Sequence, residues 1–158
     1  MARCLNPLTS APGRTLRIVA AVFRNRAGDV LGVRKAGTSS FMMPGGKIES
    51  GETRREAVVR EIAEELHLDL DADRLRHLGL FRAPAANEPG FTVRCDVYVW
   101  PDPLTDLPTV HDEIVEAIWV PVTSRAPEIA PLSRDVVFPH LRASDGHPEQ
   151  HSEQHEDQ

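Results

Sequence analysis

The segment from Thr53 to Leu66 constrains the fold more than any other part of the chain. Thr53-Arg-Arg-Glu56 has the spacing of a capping box, in which a hydroxyl and a carboxylate satisfy the free amides at a helix start. A helix is therefore expected from about Arg54. At about 100° per residue, Val58, Val59, Ile62 and Leu66 share one apolar arc, and Glu61, Glu64 and Glu65 share an adjoining acidic one. Ala57 falls in the acidic arc one turn earlier, where a small side chain leaves room for a loop or a ligand. A helix with one apolar stripe needs an apolar layer to lie against.

The rest of the chain supplies that layer as strands. Residues 15–25, 30–35, 75–83, 91–100 and 113–122 carry strand-like apolar patterns, and 133–143 reads as a short closing helix. The loops between them are marked by Pro, Gly and Asn, as in PAANEPG at 84–90. No internal repeat or linker divides the chain. Mixed strands with two outer helices imply an α/β or α+β sandwich in one domain over 14–142, preceded by a flexible lead-in at 1–13 and followed by a disordered tail at 143–158.

Charge excludes little once the tail is set aside. The chain holds 18 Lys+Arg and 24 Asp+Glu, a net charge of −6, but five of the acids lie in residues 143–158, which have no Lys or Arg. The remainder is nearly neutral and offers no broad basic footprint for nucleic acid. His147, His151 and His155 recur every four residues in that tail, and a polar tail with chance histidines is favoured over a metal site. No apolar run approaches the roughly 18 residues of a membrane helix. The N-terminus lacks a signal-peptide core, and Cys4 and Cys95 make no disulfide framework, so a cytoplasmic protein with reduced thiols is expected.

The acidic arc calls for a cation. Glu61 lies three and four residues from Glu64 and Glu65, a repulsive spacing on a helix, and only Arg60 offers relief. Glu65 also abuts the apolar stripe, where an unpaired carboxylate is costly. A solvated acidic face is the ordinary alternative. A hard divalent ion resolves both problems, because Mg²⁺ is held by one or two carboxylates together with substrate phosphate oxygens. The preceding Pro44-Gly45-Gly46 turn lets the backbone approach such a site, and Lys47 adds a positive charge.

Residues 46–68 resemble the Nudix box: Gly46, Glu52, Arg60, Glu61, Ile62, Glu64, Glu65 and Leu68 stand where that pattern requires them. At ordinary residue usage, chance agreement at six fixed identities is negligible. One position departs: the late glycine of the box is His67. Histidine is among the few other residues enriched in the left-handed region, so a cost of roughly 1 kcal/mol is expected there.

The resemblance implies a Nudix-type α/β/α sandwich with a mixed central sheet, a catalytic loop-helix and a C-terminal helix. It also implies Mg²⁺, with Mn²⁺ as a possible substitute, and hydrolysis of the P–O–P link in a nucleoside diphosphate joined to a group X. Carried over by position, Glu64, Glu65 and the Gly45 carbonyl ligate metal. Glu61 is a further ligand or the group that orients or deprotonates the attacking water. Arg60 holds a helix carboxylate, Glu52 supports the loop-helix or an outer metal, and Lys47 and Gly46 meet the phosphate chain. A distal carboxylate is expected from HDEIVEAIWV: Glu113 first, with Asp112 and Glu116 as alternatives. Arg34, Lys35, Phe41 and Met43 are candidates for the substrate pocket, with ordinary core packing as the alternative.

The stretch FMMPGGKIESGET is similar to the MutT-like (d)NTP hydrolases of the family, which points to a (d)NTP or an oxidised nucleotide as substrate. Pro84, sixteen positions past Leu68, keeps ADP-ribose or a nucleotide sugar as the second reading. A non-catalytic nucleotide sensor is disfavoured because all four box glutamates are present. An isomerase would want a catalytic cysteine, and Cys95, inside a strand, reads as core. The partner expected is a small nucleotide-type diphosphate, with no nucleic acid and no membrane, for a monomer or homodimer.

Overall fold

The computed structural model describes residues 14–146. Strand β1 (Thr15–Val22) is central: it pairs antiparallel with β3 (Gly45–Lys47) and parallel with β5 (Thr92–Val99). Strand β4 (Arg76–Pro84) pairs antiparallel with β5, completing a mixed four-stranded sheet in the order β3-β1-β5-β4. Strands β2 (Val30–Lys35) and β6 (Ile114–Val120) form a separate antiparallel pair.

Alternation along β1 sends side chains into two cores. Val19 and Ala21 face helix α1 (Arg54–Leu66) and pack with Val58, Ile62 and Leu66. Ala20 and Val22 face the other side and pack with Val137, Phe138 and Leu141 around helix α2 (Phe138–Asp145). Helices on both faces of a mixed sheet make the α/β/α sandwich expected from the sequence. Complete burial of Val58 and Ile62 contributes roughly 1.5–3 kcal/mol each.

Helix α1 begins as its sequence demands. The Glu56 amide donates to Thr53 Oγ1 at 3.0 Å and the Thr53 amide to Glu56 Oε1 at 2.9 Å, closing the capping box. At the other end His67 adopts φ 53°, ψ 37°, the left-handed conformation that the missing glycine would have taken. Its ring stacks on His111, with centroids 3.4 Å apart.

Four expectations change. Gly45 and Gly46 are not a bare turn: with Lys47 they form the short edge strand β3, whose register against Ala20, Val19 and Ile18 fixes where the backbone meets α1. Ala57 is fully buried in the α1 core and leaves no space for a ligand. The closing helix starts as a π-helical turn, Leu132–Val137, in which the Phe138 amide donates to Ser133 O. Pro139 has no amide to continue an α-ladder through that turn, and α2 proper begins beside it. Helix α2 then runs to Asp145, past the domain boundary expected at 142. Cys95 is buried in the core, whereas Cys4, the lead-in at 1–13 and the tail histidines lie outside the described residues. Among the described residues, no helix is long and apolar enough to cross a membrane.

Candidate active site

The register of β3 against β1 and the packing of α1 beside it bring two glycines against two glutamates. The Gly45 amide donates to Glu65 Oε1 at 3.2 Å. A Cβ placed on Gly46 would stand 2.5 Å from the Glu61 carboxylate carbon, so only glycine allows this approach. Gly45 is held more tightly: its φ is +153°, and an added Cβ would lie 2.0 Å from the Val19 carbonyl oxygen.

Arg60 organises the other carboxylates. Its Nε and Nη2 donate to the two Glu52 oxygens at 2.6 and 3.0 Å, a bidentate pair. Nη1 reaches Glu61 Oε2 at 3.0 Å and Glu64 Oε1 at 3.4 Å, and Nη2 also donates to the Lys47 carbonyl at 3.1 Å. One guanidinium thus ties α1 to β3 and to the loop between them. The hydrogen bond from Arg60 holds the Glu52 carboxyl down to about 2, helped by the Glu49 amide.

Glu65 is the opposite case. It is 2% exposed, and among the described residues its Oε2 has no hydrogen-bond partner. Burial, followed by the charge of Glu61, pushes its carboxyl up to about 8, while Lys35 and the Gly45 amide pull the other way and Glu113 adds to the rise. A buried carboxylate oxygen without a donor is costly, and carboxylates with unfilled lone pairs are the donors a hard cation takes. Among the described residues, no three acid, histidine or cysteine side chains stand together as a ready metal cage. As arranged, Glu65 points at Gly45, Glu61 at Gly46, and Glu64 outward to Arg60, with its side chain 48% exposed.

A cavity of about 450 Å³ opens beside this cluster. Lys35, Gly45, Gly46, Lys47, Glu61 and Glu113 line it, and Lys35 Nζ pairs with Glu113 Oε2 at 3.4 Å. The cavity continues along the α2 face of β1 past Ala20, Ile18 and Leu16, with Met43, Val93 and Leu132 as further apolar wall. Of the pocket residues read from the sequence, Lys35, Met43, Gly46 and Lys47 reach this cavity.

Arg34 and Phe41 are not among its lining residues. Arg34 instead pairs with Glu116 at 3.0 Å and donates to Thr38 O at 2.9 Å. Phe41 bridges to Ile129 and packs in the α2 core. Of the three candidates for a distal carboxylate, Glu113 is the one on the cavity wall. Glu116 is engaged by Arg34, and Asp112 takes a left-handed backbone position, φ 56°.

Sequence reasoning missed Thr38, Asn87, Glu88 and Ser133, whose side chains add polar groups to the cavity wall. Asn87 and Glu88 sit in the Pro/Gly-rich loop between β4 and β5. A polar loop is a common bearer of function, yet nothing local in its sequence says which cavity it borders.

A NUDIX domain family model matches residues 14–141. A MutT-like protein of Streptomyces ambofaciens is 26% identical over 145 residues, covering 87% of this chain and 88% of its own. The 8-oxo-dGTP diphosphatase of Escherichia coli K12 is 39% identical over 57 residues, 34% of this chain and 44% of that protein. The crystal structure of a MutT protein from Methanosarcina mazei Go1 superposes with a TM-score of 0.68 at 20% identity, covering 84% of this chain and 96% of that one. With the family model spanning nearly the whole described chain, the chain belongs to the Nudix hydrolases, enzymes of diphosphate bonds, and is MutT-like among them.

Proposed function

We propose that this chain is a Mg²⁺-dependent pyrophosphohydrolase of a nucleoside triphosphate, ordinary or oxidised, that releases a nucleoside monophosphate and pyrophosphate. The observation that carries the reading is the buried Glu65, its Oε2 without a partner among the described residues and its Oε1 held by the Gly45 amide, while Gly45 and Glu61 themselves line a nucleotide-sized cavity. The name of the 8-oxo-dGTP diphosphatase relative supports the choice of substrate class.

Glu65, Glu61, Glu64, the Gly45 carbonyl and Glu113 are the oxygen donors that would hold a hard divalent cation, Mg²⁺ or Mn²⁺, once their side chains converge on it. Such an ion would neutralise a diphosphate and lower the pKa of a bound water. The chain's own groups do the rest. Arg60 fixes the rotamers of Glu61 and Glu64 through its bonds to both and keeps Glu52 ionised. Lys47 and Lys35, on the cavity wall, offset phosphate charge. Water oxygen attacks one phosphorus, the bridging oxygen leaves with its electron pair, and the water's proton passes to a carboxylate, for which Glu61 on the wall is placed. The apolar wall along β1 receives the base or sugar.

Pro84 on the cavity wall favours a second reading, ADP-ribose or a nucleotide sugar. The test is product release with Mg²⁺ across (d)NTPs, 8-oxo-dGTP, ADP-ribose and nucleotide sugars, with Glu64→Gln in parallel. Turnover of a triphosphate that the substitution abolishes supports the first reading; preference for ADP-ribose or a sugar moves it to the second. Absence of turnover on the whole panel by a metal-binding wild type sinks both.

A further inference from the structure

The face of the sheet opposite the cavity carries a row of three arginines. Arg17 on β1 is directly opposite Arg94 on β5, and Arg94 is directly opposite Arg82 on β4. By alternation all three project to the α1 side, together with Val19, Asp96 and Tyr98. Helix α1 packs over β1 and β3, and among the described residues nothing covers this end of β5 and β4: Arg17 and Arg82 are exposed, and Leu80, one row along, is 43% exposed.

Like charges directly opposite one another destabilise a sheet. Among the described residues, no ion pair includes Arg17, Arg82 or Arg94. Asp96, two residues along β5 from Arg94, is already engaged by His77 at 2.8 Å and Arg54 at 3.3 Å. Arg94 is half-buried, and its Nε is enclosed with no hydrogen-bond partner among the described residues. A guanidinium without an acceptor for its enclosed Nε is costly, and an oxyanion on the reachable part of the group would balance its charge.

We propose that Arg17, Arg94 and Arg82 form a second anion site, separate from the catalytic cavity, that takes a chain of two or more phosphoryl groups. Guanidinium groups recognise phosphate in a planar, bidentate way. Adjacent strands lie about 4.8 Å apart, so three of them carry the row across roughly 10 Å, longer than a single phosphate. The same chemistry belongs to inorganic polyphosphate and to the phosphate tail of a nucleotide. The site is distinct from the substrate cavity because Leu16, Ile18 and Val93, the chain neighbours of Arg17 and Arg94, face the opposite way and line that cavity.

The test is calorimetric titration of tripolyphosphate, and separately of a nucleoside triphosphate, into the full chain in EDTA at low salt. The same titrations are made with the Arg17→Gln/Arg82→Gln double variant and with Lys47→Ala. The two exposed arginines spare the core, and thermal melting confirms that the double variant is folded. The expected result is at least a tenfold loss of tripolyphosphate affinity in the double variant, retention in Lys47→Ala, and unchanged Mg²⁺-dependent turnover in the double variant. Equal affinities for both wild-type ligands identify a site that reads the phosphate chain alone; tighter nucleotide binding that also depends on the row identifies a nucleotide. Undiminished binding by the double variant or no wild-type binding overturns the proposal.

Discussion

Glu65 concentrates the cost of this site in one carboxyl. Its folded value of about 8 stands above the ordinary 4.5, so between those limits the folded chain keeps a proton that the unfolded chain releases. Folding stability without metal therefore falls as pH rises through that window, and it is undiminished below it. Glu65→Gln keeps the shape and removes the titration. Without divalent metal the variant should gain on the wild type from pH 4.5 to 8, by at most roughly 5 kcal/mol. Urea denaturation at pH 5 and pH 8.5 measures this, and parallel behaviour of the two proteins would show that Glu65 carries no such penalty. That Glu65 would be buried was legible because it adjoins the apolar arc. That one oxygen meets Gly45 and the other meets nothing was not, since β3 must first dock on β1.

At the scale of elements, β3 and α1 are matched by the absence of side chains on β3. Gly46→Ala would drive a Cβ to 2.5 Å from the Glu61 carboxylate carbon, forcing that carboxylate out of its bond to Arg60. The carboxylate is the far end of a flexible side chain and can swing aside at little cost, so the variant should stay folded while losing most of its kcat. Turnover and thermal melting measured together decide it: a wild-type kcat would mean that the close approach serves packing alone. Helix α1 was legible from end to end because its cap, its stripe and its left-handed close at His67 depend on residues at most four apart. β3 was misread as a turn because a three-residue edge strand has no pattern of its own and exists only through pairing with Ala20, Val19 and Ile18. The π-helical start of the closing segment was hidden for a related reason: Pro139 announces a break, but packing decides how the preceding turn absorbs it.

For the whole molecule, the central strand separates two jobs. One face of β1 packs under α1, and the other lines the cavity from Ala20 to Leu16 before the α2 core takes over. A bulky residue on that wall should obstruct the substrate without disturbing metal binding. Ile18→Trp, at a half-buried lining position, is expected to raise KM by about tenfold, equivalent to roughly 1.4 kcal/mol, with kcat and melting temperature little changed. Unaltered KM would place the base or sugar elsewhere than along β1.

What the chain's sequence determined by itself is local: a capped helix from Arg54, an acidic arc beside an apolar one, a left-handed residue at position 67, and a glycine-flanked approach to the acids. Each follows from backbone geometry over one or two turns, where neighbours in sequence are necessarily neighbours in space. The tertiary structure alone decided that Lys35 and Glu113 meet at the cavity wall, that Asn87 and Glu88 border the cavity, that Arg34 and Phe41 do not line it, and that three arginines align across β1, β5 and β4. Those relations depend on strand register between segments up to about eighty residues apart. A slip of one residue in that register would send every side chain of the row to the opposite face, and no local pattern in the sequence forbids it.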